Sequence, residues 1–154
     1  MKRTIRFAGL ILVLTLCLAS CSGNSKGNTS QEVSNEIPSM TNSELIEHLR
    51  KEAQNVNGMC PMKQENGVVM ESVTYESGVW QYNYLVQGET FYVEDNDPNL
   101  KEAIKASFRG KPLEQKFVRA LVQSNSKMVY HYHTQGGKTL DITLNTPELE
   151  DILE

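Results

Sequence analysis

Cysteine is scarce in this 154-residue chain, with three at positions 17, 21 and 60, and tryptophan scarcer still, with Trp80 alone. So few thiols cannot build a disulfide framework, so the fold has to rest on a hydrophobic core. No apolar run reaches the ~20 residues that a helix needs to cross a bilayer. The longest, Phe7–Leu18, is nearly unbroken but stops after a dozen residues. Basic residues are outnumbered, 15 Lys and Arg against 19 Asp and Glu, for a net charge of −4 with histidine neutral. No basic stripe of the kind that tracks a phosphate backbone is present, which argues against nucleic acid as a partner. The dinucleotide-binding G-x-G-x-x-G, the phosphate-cradling Walker A loop and the zinc-binding H-E-x-x-H are also missing.

What stands at the N-terminus explains the short apolar run. Lys2, Arg3 and Arg6 precede it, and small residues follow it into Cys21. A charged start, a short apolar segment and a small-residue exit are the anatomy of an export signal, not of a transmembrane helix. Leu18-Ala19-Ser20-Cys21 resembles the bacterial lipobox. The resemblance implies cleavage before Cys21 and a diacylglycerol on its sulfur, usually with a third, amide-linked acyl chain such as palmitate. One chain anchors marginally at ~0.8 kcal/mol per buried methylene, whereas two or three hold firmly. Ser22 stands where an Asp would signal retention in the inner membrane, so the same resemblance favours the outer membrane.

Processing would remove three basic residues and no acidic ones, leaving 12 against 19 and a net charge of −7. An acidic domain gains nothing from an anionic lipid surface, so the lipid itself is the anchor. Cys17 leaves with the signal and Cys21 is acylated. Cys60 remains, and an intramolecular disulfide is excluded. The chain divides into a signal peptide (1–20), a Ser/Asn/Gly/Thr-rich tether (21–39) and one globular domain (40–154). Eighteen flexible residues after Cys21 span roughly 25 Å.

Within the domain, Thr41-Asn42-Ser43-Glu44 is a capping-box pattern, and Leu45, Leu49 and Ala53 continue it as one helical face. Met59-Cys60-Pro61-Met62 is expected to be extended. Strands are expected over Val68–Tyr75, Val79–Val86 and, shorter, Thr90–Glu94. In the second, Trp80, Tyr82, Tyr84 and Val86 alternate against Gln81 and Asn83. Asp97-Pro98 opens a helix that Gly110 stops. The spacing of Leu113, Phe117 and Leu121 after Pro112 predicts another helix, although it also fits a strand. Strands Met128–Thr134 and Thr139–Leu144 flank a Gln135-Gly136-Gly137-Lys138 turn, and Thr146-Pro147 caps a last short helix.

A faint repeat runs at an offset of 48 residues. It matches Trp80 to Met128, Tyr82 to Tyr130, Tyr84 to Tyr132 and Gln87-Gly88 to Gln135-Gly136. It reads either as a weak internal duplication or as two hairpins obeying the same rules. The fold expected is α+β: an antiparallel sheet of about five strands with helices on one face, its aromatic side turned toward them. The order of helix, Asn/Cys-Pro segment and Tyr-x-Tyr strand over residues 45–145 resembles small bacterial lipoproteins to which no activity is attached.

Four groups of residues invite chemistry. His131 and His133 sit two apart on one strand, about 6.5–7 Å from each other on one face, a spacing two zinc ligands can use. His48 and Asp141 are the nearest guesses for a third. Cys60, between Met59 and Met62, supplies soft donors suited to Cu(I), or a thiol nucleophile. Trp80, Tyr82, Tyr84, Phe91 and Tyr92 form an aromatic set that either packs the core or stacks on a partner, and Tyr92 is the one expected at the surface. Glu94-Asp95-Asn96-Asp97 lacks the central Gly and terminal Glu of a calcium loop and reads as a solvated turn with an N-cap acid. The resulting expectation is a non-enzymatic envelope module, lipid-anchored through Cys21, that binds an envelope protein or glycan. No cofactor is implied. The alternative is a zinc- or copper-binding envelope lipoprotein.

Overall fold

The computed structural model describes residues 40–64, 67–88 and 91–154. The expected lipobox, Cys21 and the tether lie outside the described residues. Helix α1 (Asn42–Asn57) starts where its capping box predicts. The Thr41 hydroxyl accepts from the Glu44 backbone N–H at 3.3 Å, and the Glu44 carboxylate accepts from the Thr41 N–H at 2.8 Å. The backbone bond to Thr41, and then its hydroxyl, hold the Glu44 carboxyl below the usual carboxylate range. Leu45, Leu49, Ala53 and Val56 form the buried stripe of α1.

Four more strands and three more helices follow a two-residue strand β1 (Met62–Lys63): β2 (Val68–Glu76), β3 (Val79–Val86), α2 (Pro98–Phe108), α3 (Pro112–Gln123), β4 (Lys127–Thr134), β5 (Thr139–Leu144) and α4 (Thr146–Glu150). The sheet runs in the order β1-β2-β3-β4-β5. Segment 112–123 is thus a helix, the preferred of the two templates its spacing allowed.

The expected α+β fold, with a five-stranded sheet and helices on one face, is present among the described residues, and two details differ from expectation. The sheet is mostly, but not wholly, antiparallel, because β3 and β4 run parallel at its centre. A parallel pair needs a long crossover, and α2 and α3 supply it. The register of that pair is the 48-residue offset itself: Trp80 lies beside Met128, Tyr82 beside Tyr130 and Tyr84 beside Tyr132. Upstream the repeat stops, since 117–123 is helical where 69–75 is strand. Second, no strand forms over 91–94. Phe91 and Val93 do turn inward and Tyr92 outward, as alternation requires. The segment runs instead as bends and a turn that lead into α2.

All four helices of the described residues share one core with one face of the sheet. Trp80, Tyr82, Tyr84, Met128, Tyr130, Leu140, Ile142 and Leu144 meet Leu49 of α1, Ile104 and Phe108 of α2, Val118 and Leu121 of α3, and Leu149 of α4. A charged clasp ties α2 to the chain around α4. Lys101 pairs with Glu148 at 2.6 Å, and Lys105 and Arg109 both reach Asp151, at 2.5 and 2.8 Å. Glu102 bridges the same two cations from within α2, at 2.8 and 2.5 Å.

Candidate functional site

The outer face of the sheet carries the polar residues. Register places Ser72, Asn83, His131 and Asp141 in one row across β2 to β5. Asn83 donates from Nδ2 to the Ser72 hydroxyl at 2.9 Å, and Gln81 donates to Asn83 Oδ1 at 2.6 Å. His131 Nδ1 lies 2.6 Å from an Asp141 carboxylate oxygen. His133 Nε2 lies 2.7 Å from Glu71, which reaches it across β3. That reach depends on a bulge in β2 between Met70 and Ser72. The extra residue turns Glu71 to the same side as Ser72. Its trace in the sequence is the spacing of the inward Met70 and Val73, three apart where an unbroken strand would give two.

The two imidazoles are stacked, with ring centroids 6.2 Å apart and planes 24° from parallel. The expected shared face is present, and Asp141 does join His131. His48 does not: it is exposed on α1, in the layer behind the opposite face of the sheet. Each imidazole is engaged by a different carboxylate. Among the described residues no group of three or more His, Cys, Asp or Glu side chains is placed to hold a metal ion.

The sulfur residues diverge. Met59 is 52% exposed, whereas Cys60 and Met62 are half-buried against the core. The Cys60 thiol points back toward the Val56 carbonyl at 3.6 Å, and burial pushes its pKa up. A raised thiol is less thiolate and hence a poorer nucleophile or soft ligand. The Cys60–Pro61 peptide is cis.

Most of the aromatic set belongs to the core. Trp80 packs edge-on against Phe117 with centroids 4.6 Å apart. Tyr82 and Tyr84 face Tyr130 and Tyr132 across the parallel pair at 5.0 and 5.1 Å. Burial raises the pKa of all four phenols, so they stay neutral. Phe91 is half-buried, and Tyr92 is exposed at 65%, as expected.

The acidic turn does more than expected of a solvated loop. Asp97 caps α2 by accepting from the Leu100 N–H at 2.9 Å. Asp95 and Asn96 instead turn toward β5, where they bond its backbone. An open depression of about 290 Å³ lies where three turns meet, lined among others by Ser77, Asn125, Lys127 and Thr146.

No protein family profile matches the chain, and no curated protein matches it by sequence. Solved structures do share its architecture. A protein of Pseudomonas aeruginosa provisionally designated as secreted overlays with a TM-score of 0.54 at 12% identity, covering 70% of this chain and 95% of its own. The pilotin EpsS of the Vibrio vulnificus type 2 secretion system overlays with a TM-score of 0.53 at 6% identity, covering 70% of this chain and 94% of the pilotin. The type II secretion pilotin AspS of Vibrio cholerae follows at 0.49 and 10%, with 70% of this chain and 94% of the pilotin covered. At 12% and 6% identity the likeness to the first two is one of fold alone.

Proposed function

We propose that this chain is a lipid-anchored module of the bacterial cell envelope, whose α+β domain binds an envelope protein and performs no catalysis. The observation that carries this reading is a conjunction. A lipobox-like Leu18-Ala19-Ser20-Cys21 precedes a domain that overlays on nearly the whole of a type 2 secretion pilotin. The chemistry of the candidate sites supports it. The thiol is half-buried with a raised pKa, and the two histidines are each tied to one carboxylate. Tyr92, large, amphipathic and exposed, is the residue we assign to partner contact.

Anchoring and binding are tested separately. Wild-type protein should incorporate labelled palmitate and fractionate with the outer membrane. Cys21→Ala should lose the label and leave the membrane fraction. A wild type that takes up no lipid would overturn the anchor. For binding, a photo-crosslinker placed at Tyr92 in living cells should yield one discrete adduct with an envelope protein, weakened when neighbouring exposed residues are changed. An unmodified chain under the same illumination would overturn the assignment of that surface.

A further inference from the structure

The free edge of β5 is occupied by side chains of its own molecule. Among the described residues, strand β5 pairs with β4 on one side only. On the other, Asp141 donates its backbone N–H to the Asp95 carboxylate at 2.8 Å and accepts from the Asn96 N–H at 2.8 Å. Thr143 donates its N–H to Asn96 Oδ1 at 2.9 Å. Asn96 makes this possible by adopting a left-handed conformation, φ 58°, which Asn tolerates better than most residues. The opposite margin of the sheet uses the same device. There β1 is two residues long, and beyond it Asn57, at the end of α1, accepts the Val73 N–H at 3.1 Å. An amide side chain has thus replaced a strand at both margins.

We propose that Asp95 and Asn96 form an intramolecular edge guard, and that without them β5 becomes a docking edge for the β5 of a second copy of this chain. The segment left bare would be Thr139-Leu140-Asp141-Ile142-Thr143-Leu144. It is rich in β-formers, has no Gly or Pro and carries one charge, the composition of a strand that recruits another. Edge-to-edge pairing of identical strands closes on a two-fold axis, so the product is a dimer. This inference stands apart from the proposed anchoring and partner.

The test uses the full chain with Cys21→Ala, which keeps it off lipid. Asp95→Ala/Asn96→Gly removes both side-chain acceptors, and the glycine keeps the left-handed turn free of strain. Sedimentation should show the mass doubling as concentration rises. Amide exchange at Asp141 and Thr143 should be fast in dilute variant and slow in the dimer. A third change, Thr143→Pro, deletes an outward N–H without touching the ladder to β4, and should return the variant to a monomer. A double variant that stays folded and monomeric at every concentration overturns the guard. So does association that persists in the proline variant, whether through another surface or through unfolding.

Discussion

Trp80 is 2% exposed and touches Tyr75, Tyr82 and Phe117, three aromatic rings from three elements. Truncating it empties the middle of the core, and Trp80→Ala should cost about 3–5 kcal/mol in a denaturation experiment. A loss below 1 kcal/mol would mean that the helices do not pack on this face as described. The histidines predict the opposite. His131 and His133 are about a third exposed, at 30% and 33%, and so are screened by solvent. Half-exposed contacts of this kind contribute roughly 0–1 kcal/mol each. His131→Ala/His133→Ala should therefore fall within about 1–2 kcal/mol of wild type and leave the bound-metal content unchanged. Stoichiometric zinc or copper in wild type, lost in the variant, would revive the metal-binding alternative.

The clasp joins α2 to the chain around the five-residue α4 through charge, beside the buried Leu149 and Ile152. The hydrogen bond from Lys105 holds the Asp151 carboxyl below its ordinary value, and bonds from Lys105 and then Arg109 do the same for Glu102. Carboxylates with depressed folded values stabilise above their unfolded pKa, about 4, and that contribution is lost as pH falls through the folded values. The stability difference between wild type and Asp151→Asn should hold from neutral pH to about 5 and shrink below 4, because protonation removes the charge that the variant lacks. High salt at neutral pH should shrink it too. A difference independent of both would show that packing, and not charge, joins the helices.

At the scale of the whole molecule, one face of the sheet is apolar and covered by helices, and the other is polar and open. The guarded β5 edge is one margin of the sheet, and Tyr92 is exposed three residues before the guard begins. The acyl anchor proposed at Cys21 would hold this domain at the end of a polar tether. Ser22→Asp should then move it from the outer to the inner membrane fraction, which membrane separation and immunoblotting would show. An unchanged distribution would remove the sorting argument while leaving the anchor intact.

Much of the fold was legible in the sequence, because periodicity and capping are local. Thr41 and Glu44 announce α1, Asp97-Pro98 announces α2, and the alternation from Trp80 to Val86 states which face is buried. The repeat of Tyr82-x-Tyr84 at Tyr130-x-Tyr132 was visible as well. Its meaning was not, since a repeat in sequence does not say whether two strands lie side by side, nor in which direction. The sheet decided that by placing the strands parallel and in that register. Tertiary structure alone also brought Glu71 to His133 across a bulge, and turned an acidic run into a cover for β5. In each case the partner groups are more than forty residues apart. Local signals set by hydrogen-bonding geometry and hydrophobic period determine elements and their faces. Pairing direction, edge protection and site assembly depend on which distant groups the packed core holds within reach.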